Sequence, residues 1–189
     1  MPLRAIRRIV VDEEDAIDAT YITVRRTTDA DVRRLPAVER SAARSFANIP
    51  ELSWIVGDDV LDEARHRRFA AAGWSWVADI AGAPVGFICA KLVEHEVHVW
   101  EVAVSEPYQQ QGIGSRLMAR IEAQARDAGA CALTLTTFRD VPWNGPFYAS
   151  LGYEVIDPEA CNSRLRRILE LEVQAGQPAD RRCAMRLRL

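Results

Sequence analysis

The 189-residue chain has only four cysteines (Cys89, Cys131, Cys161 and Cys183), far apart and with no CxxC pair among them. That spacing supports neither a zinc site nor a dense disulfide framework. Apolar residues make up 49% of the chain, yet no run approaches the ~20 residues that span a bilayer, so no membrane partner is expected. The start, MPLRAIRRIVVDEEDAID, lacks the uninterrupted apolar stretch and small-residue cleavage site of a secretory signal. These absences predict a reduced, cytoplasmic protein. Positive charge is in short supply too: 24 basic residues face 27 acidic ones, for a net −3. A broad nucleic-acid-binding face needs a cationic surplus, so no nucleic-acid partner is expected. Lysine is nearly missing: Lys91 stands alone and the other 23 cations are arginine, a bias that reads as genome composition.

What is present has regular punctuation. Residues 1–20 carry the acidic run Asp12, Glu13, Glu14, Asp15 without sustained periodicity and read as a tail or an extra strand. Residues 21–189 read as a single domain. YITVRR alternates as a strand, and Thr28 three residues before Asp31 predicts a helix start. Val32, Leu35, Val38, Ala42 and Phe46 then recur at helical spacing, with Pro36 expected to break or kink the helix. The stretch 48–59 reads as a loop and 58–72 as a helix. Strands over 74–80, 85–93 and 97–104, with short connections, imply an antiparallel meander. A helix follows Gly112 and ends at Gly129. A strand over 132–138, a short helix over 144–151, a strand at GYEVI, a helix over 164–173 and a strand over 183–189 complete the chain. Strand–helix–strand units joined to a meander give a mixed α/β sheet.

The segment EVAVSEPYQQQGIGSRLMARIEA is the most informative. An apolar strand runs through Gln111-Gly112-Ile113-Gly114-Ser115 directly into an amphipathic helix. Unpaired amides at a helix start, at the positive end of its dipole, suit a phosphate or pyrophosphate. A Walker A loop is excluded because no lysine lies here, and a dinucleotide fingerprint fails because Leu117 occupies the third glycine position. What remains is Gln109-x-x-Gly112-x-Gly114, which by itself is also compatible with a purely structural helix start.

Its context resembles the acetyl-CoA signature of the GCN5-related N-acetyltransferases over about Ile22 to Ile156, with Pro107-Tyr108-Gln109, the glycine turn, and Phe147-Tyr148-Ala-Ser-Leu151-Gly152-Tyr153. The resemblance implies a twisted mixed sheet splayed open between the strand ending at Val104 and the strand 132–138. It implies acetyl-CoA as acyl donor and no metal. The donor's arm would lie along Val102, Ala103 and Val104 like an added strand. Its diphosphate would rest on the amides of Gln111, Gly112, Ile113, Gly114 and Ser115, with Gln109 and Gln110 of the same turn also binding the cofactor. Asn144 matches a family asparagine that contacts CoA, though it stands only four positions before Tyr148 where many members have another helical turn. Tyr148 matches the family's tyrosine acid.

For the base, Glu101 is preferred, with His98 or ordered water as alternatives. In an unbroken strand Glu101 and His98 face opposite sides, so they compete; only a bulge would change that parity. Glu94, Glu96 and Glu101 are expected at the acceptor end, where carboxylates favour a cationic amine. Trp54 is expected to wall that pocket, and Cys131 to be a buried structural thiol. His95-Glu96-Val97-His98 is one residue short of a zincin motif and reads as surface or rim histidines. The resemblance thus implies transfer of acetyl to a small-molecule primary amine. Acetylation of a protein or peptide amine, or a non-catalytic CoA-binding sensor, remain the alternatives; the acidic balance counts against a tRNA-directed member. A homodimer is left open.

Overall fold

The computed structural model describes residues 22–189. The expectation of a tail or extra strand at residues 1–20 lies outside them. Seven strands form one sheet in the order β1-β2-β3-β4-β5-β7-β6, where β1 is Thr23–Arg26, β2 Ser75–Ile80, β3 Ala83–Val93, β4 Glu96–Val104, β5 Ala132–Phe138, β6 Glu154–Val155 and β7 Arg182–Arg188. Strands β2, β3 and β4 are the expected meander, and β1 adds to its edge antiparallel to β2. Only β4 and β5 pair in parallel, and only over Glu96, Val97 and His98 against Ala132, Leu133 and Thr134. Beyond His98 the two strands part, as the resemblance implied.

Helices cover both faces. On one, α4 (Ile113–Asp127) lays Ile113, Leu117, Met118 and Ile121 against Trp76, Ile88, Val97, Val99 and Leu133. Each such buried side chain contributes about 1.5–3 kcal/mol. On the other face α2 (Leu35–Ala43) packs Leu35 and Val38 on Val77, Phe87, Cys89 and Ala103. The expected long first helix is instead a short α1 (Asp29–Val32) followed by α2. Its start is set as expected, for the Thr28 amide and hydroxyl both donate to the Asp31 carboxylate. The break falls before Pro36, which sits in the first turn of α2, where its missing N–H costs nothing.

The presumed loop 48–59 is wound into 3₁₀ turns, Arg44–Asn48 and Pro50–Gly57. Leu52, Phe46, Ile49 and Ile55 fasten these turns to Phe138 and Val141 at the end of β5. Helix α3 (Glu63–Ala71) starts later than expected because Asp62 caps it, accepting from the Arg65 amide. The chain's last helices are α5 (Gly145–Ser150) and α6 (Ser163–Gln174); Leu165 of α6 packs with Ile156, Cys161 and Ala184.

Candidate active site

Parting of β4 from β5 leaves a cleft of about 870 Å³. Two backbone features make it a binding groove. The Ser105 amide bonds to the Val85 carbonyl at 2.8 Å, so the alternation of an antiparallel ladder turns the backbone groups of Ala103 and Glu101 toward β3. Those of Val102 and Val104 then face the gap. The Val104 carbonyl there already accepts from the Gln109 carboxamide at 3.0 Å, which leaves its N–H.

At the head of the gap, left-handed turns at Gln110 (φ 60°) and Gly112 (φ 76°) swing the chain into α4. The first intrahelical bond runs from the Arg116 amide to the Gly112 carbonyl at 3.1 Å. Amides 113–115 therefore have no carbonyl one turn back, and the dipole of a 15-residue helix stands behind them. Gly112 is required by its φ, not by crowding, since a Cβ there meets nothing. At Gly114 a Cβ would come within 3.3 Å of the Phe147 ring, so this glycine lets α5 dock on the turn. These amides form a cradle of the kind that accepts an anion through backbone N–H groups alone.

Of the twelve residues expected to bind the cofactor, all but Gln111 line the cleft; the Gln111 side chain instead donates to the Pro107 carbonyl. Tyr148 is 8% exposed, its ring edge-on to Phe147 and Tyr153 at 5.1 and 5.8 Å. Burial, with the nearby Glu101 charge, raises its pKa well above the usual tyrosine range. It stays protonated.

The bulge that was needed to alter parity on β4 exists. Glu101 is opposite Cys89 and Val99 opposite Ala90, so Trp100 is the extra residue. Glu101 and His98 therefore share a face rather than opposing one another. They do not share surroundings. His98 is 1% exposed, bonds to the Thr134 hydroxyl at 3.1 Å and does not line the cleft. Burial, helped by the Arg164 charge, lowers its pKa to about 3. It is a buried neutral imidazole, contrary to the rim position expected for it. Glu101 lines the cleft, and burial, together with repulsion from Glu39, raises its pKa well above the carboxylate range; Arg182 and the Val102 amide pull the other way.

Glu39 was missing from the sequence reading. It lies on α2 facing the cleft, both oxygens close to the Leu61 amide (3.2 and 3.3 Å), with burial raising its pKa to about 7. The available signal was a carboxylate inside the apolar stripe Leu35, Val38, Ala42, Phe46. Asp58 and Asp59 extend the acidic lining, while Glu172 is neutralised by Arg182 at 2.8 Å.

Other expectations fail for identifiable reasons. Glu96 is at the closed end of β4, ion-paired to Arg164 (2.7 Å) and Arg186 (2.9 Å), and Glu94 sits in the β3–β4 turn. Neither lines the cleft, because the strands open toward Val104 and away from that turn. Trp54 is exposed outside the cleft; Trp100, pushed out by the bulge, and Trp143 wall it instead. Cys131 is exposed, its thiol directed at the His95 carbonyl. Among the described residues no cluster of His, Cys, Asp and Glu is arranged to hold a metal, and no helix is long and apolar enough to cross a membrane.

Comparison with known proteins points one way. The model of the acetyltransferase (GNAT) family matches residues 40–153. A 98-residue stretch is 33% identical to the tRNA(Met) cytidine acetyltransferase TmcA of Aeropyrum pernix, covering 48% of this chain but 14% of that protein. Similar solved structures include the PaiA N-acetyltransferase of Thermoplasma acidophilum in complex with coenzyme A (TM-score 0.67, 17% identity, 89% of this chain and 99% of that one). N-acetylglutamate synthase of Neisseria gonorrhoeae, complexed with coenzyme A and N-acetyl-glutamate, superposes with a TM-score of 0.66 at 17% identity over 89% of this chain and 35% of that one. Arabidopsis thaliana Naa50 in complex with the bisubstrate analogue CoA-Ac-MVNAL gives 0.60 at 15% identity, over 89% and 99%. At such identities these structures share the fold.

Proposed function

The chain belongs to the acetyltransferase (GNAT) family, and from that premise we propose that it takes the acyl group of acetyl-CoA and passes it to the primary amine of a small cationic molecule by direct attack in a ternary complex. The observation that carries this reading is one cleft in which an anion cradle, a free strand edge, a desolvated carboxylate and a buried tyrosine converge. The Ile113–Ser115 amides hold the diphosphate, and Val102 and Val104 align the pantetheine arm along the open edge of β4.

An aliphatic ammonium near pKa 10 has to lose a proton before it attacks. Glu101 takes it, directly or through an ordered water; its raised pKa narrows the gap to the amine and makes that transfer less steep. The amine nitrogen bonds to the thioester carbonyl carbon as the carbon–sulfur bond breaks, and the second proton that nitrogen sheds to become a neutral amide is taken up by the departing thiolate, which leaves as the thiol. The Val104 N–H faces the charge that builds on the carbonyl oxygen. Tyr148 meets the departing sulfur. A thiol near pKa 8.5 cannot pull a proton fully from a phenol held above 10, so Tyr148 stabilises the thiolate by donating a hydrogen bond. Glu39, Asp58 and Asp59 favour a cationic acceptor, and the aromatic walls Trp100 and Trp143 suit its alkyl portion. The same acidic lining disfavours an RNA acceptor, whose phosphates it would repel.

The deciding measurement is thiol release from acetyl-CoA across a panel of diamines, amino sugars, amino acids and peptides, for wild type and Tyr148→Phe. Amine-dependent release that is strongest for multiply charged small amines, and reduced about ten- to a hundredfold by Tyr148→Phe, is expected. Preference for a peptide amine would overturn the acceptor class. Tight CoA binding without release for any amine would leave the sensor alternative standing.

A further inference from the structure

Gln109 reaches further than the cofactor turn it belongs to. Its Nε2 donates to the Val104 carbonyl at 3.0 Å and approaches the Ala42 carbonyl at 3.5 Å, while its Oε1 accepts from the Ser45 hydroxyl at 2.7 Å. Val104 ends β4 at the gap. Ala42 lies in the last turn of α2, the helix that carries Glu39, and Ser45 is the second residue of the 3₁₀ segment that carries Phe46 against Phe138 and Trp143. Two neighbouring contacts run the same way: the Glu106 amide donates to the Ser41 hydroxyl at 3.1 Å, and Arg44 pairs with Glu106 at 3.7 Å. Residues 105–108 are folded back on themselves, the Tyr108 amide bonding to Ser105 at 2.9 Å, so only the turn 110–112 separates Gln109 from the anion cradle at 113–115.

We propose that Gln109 is a positioning residue whose carboxamide couples the acetyl-CoA turn to the acceptor-side segment 44–57, so that filling the turn preorganises the amine pocket. The carboxamide spends both its donor and its acceptor capacity on protein groups of three different elements, which makes it a joint and not a ligand contact. Order imposed at one end of such a joint lowers the entropic cost of ordering the other, and the coupling is reciprocal. The proposal rests on the acetyltransferase reading and on the acceptor lying against 44–57.

The test uses the full chain and three variants. Gln109→Met keeps length and removes every bond; Gln109→Glu keeps the acceptor for Ser45 and loses the donor; Ser45→Ala removes the outer link alone. Amide hydrogen exchange over 44–57 is read with and without CoA, beside the CoA dissociation constant. In wild type, CoA is expected to slow exchange in 44–57. In Gln109→Met, CoA should bind within about threefold of wild type but no longer protect that segment; Ser45→Ala should lose part of the protection and Gln109→Glu retain part. With an active amine, its KM should rise about tenfold in Gln109→Met while that of acetyl-CoA stays within threefold. Should Gln109→Met fail to fold, Ser45→Ala carries the test. Protection that persists in Ser45→Ala and Gln109→Met, or a loss of CoA affinity as large as the loss of protection, overturns the joint. CoA binding to wild type without protection of 44–57 overturns it as well and leaves the acetyltransferase reading intact. Absence of CoA binding to wild type would overturn both.

Discussion

The two ends of strand β4 share a face of the sheet and differ in everything else. At the closed end, Glu96 is held between Arg164 and Arg186, and His98 is sealed against Thr134. At the open end, three to five residues on, Glu101 faces Glu39 across a cleft, with β5 no longer there to pair with. Where the ladder is intact, polar groups have been given partners and serve the fold. Where it fails, the same residue types face one another without an ion-pair partner and hold their protons more tightly. The difference lies in pairing rather than composition, and the transition occupies the single extra residue Trp100.

The contrast breaks most visibly at its two glutamates. Glu101→Gln should lower kcat/KM about 10²- to 10⁴-fold at neutral pH, with CoA affinity unchanged by isothermal titration. Glu96→Gln should leave kcat near wild type and cost about 2 kcal/mol by urea unfolding, since it weakens two charge-assisted bonds. Equal losses of activity in both would erase the division between the ends.

His98 sharpens the closed end. Its folded-state pKa of about 3 lies below the unfolded value of 6.5, so the unfolded chain binds the proton first and stability drops as pH falls. The contribution is about 1.4 kcal/mol per pH unit between 6.5 and about 3. Unfolding free energies of wild type and His98→Gln across that window should diverge by one proton's slope. Parallel profiles would mean that His98 already titrates normally.

The smallest effect probes the open end. Activity requires the Glu39–Glu101 pair to give up protons, so kcat/KM should rise with pH through a value above the ordinary carboxylate range. Glu39→Gln removes a like charge and should move that limb about one pH unit lower. A limb that stays in place would separate the two carboxylates.

Local patterns carried most of the fold. The alternation of 132–138, the helical stripe after Gly112 and the short turns of the meander each match an observed element. The glycine turn was legible because its chemistry resides in backbone amides, whose placement depends on neighbours in sequence. Residues brought in by tertiary packing were not. Glu39 reaches Glu101 through the docking of α2, and nothing in the local spacing ties the two. The bulge at Trp100 is a mismatch between two strands, which neither strand records alone. The error over Glu94 and Glu96 was of the same kind: the strand was right, and which of its ends stays zipped was not visible.

Lys91 stands exposed on β3, opposite His98 in the ladder. As the only lysine, it is the one side chain that offers an ε-amine to the protein's own reaction. The 23 arginines are charged at every physiological pH and hold no neutral amine to surrender. Acetylation by any thioester donor can therefore reach a single lysine ε-amine in the chain, that of Lys91. The chain's other surface cations, unlike those of a lysine-rich protein, are a permanent charge that turnover cannot erode.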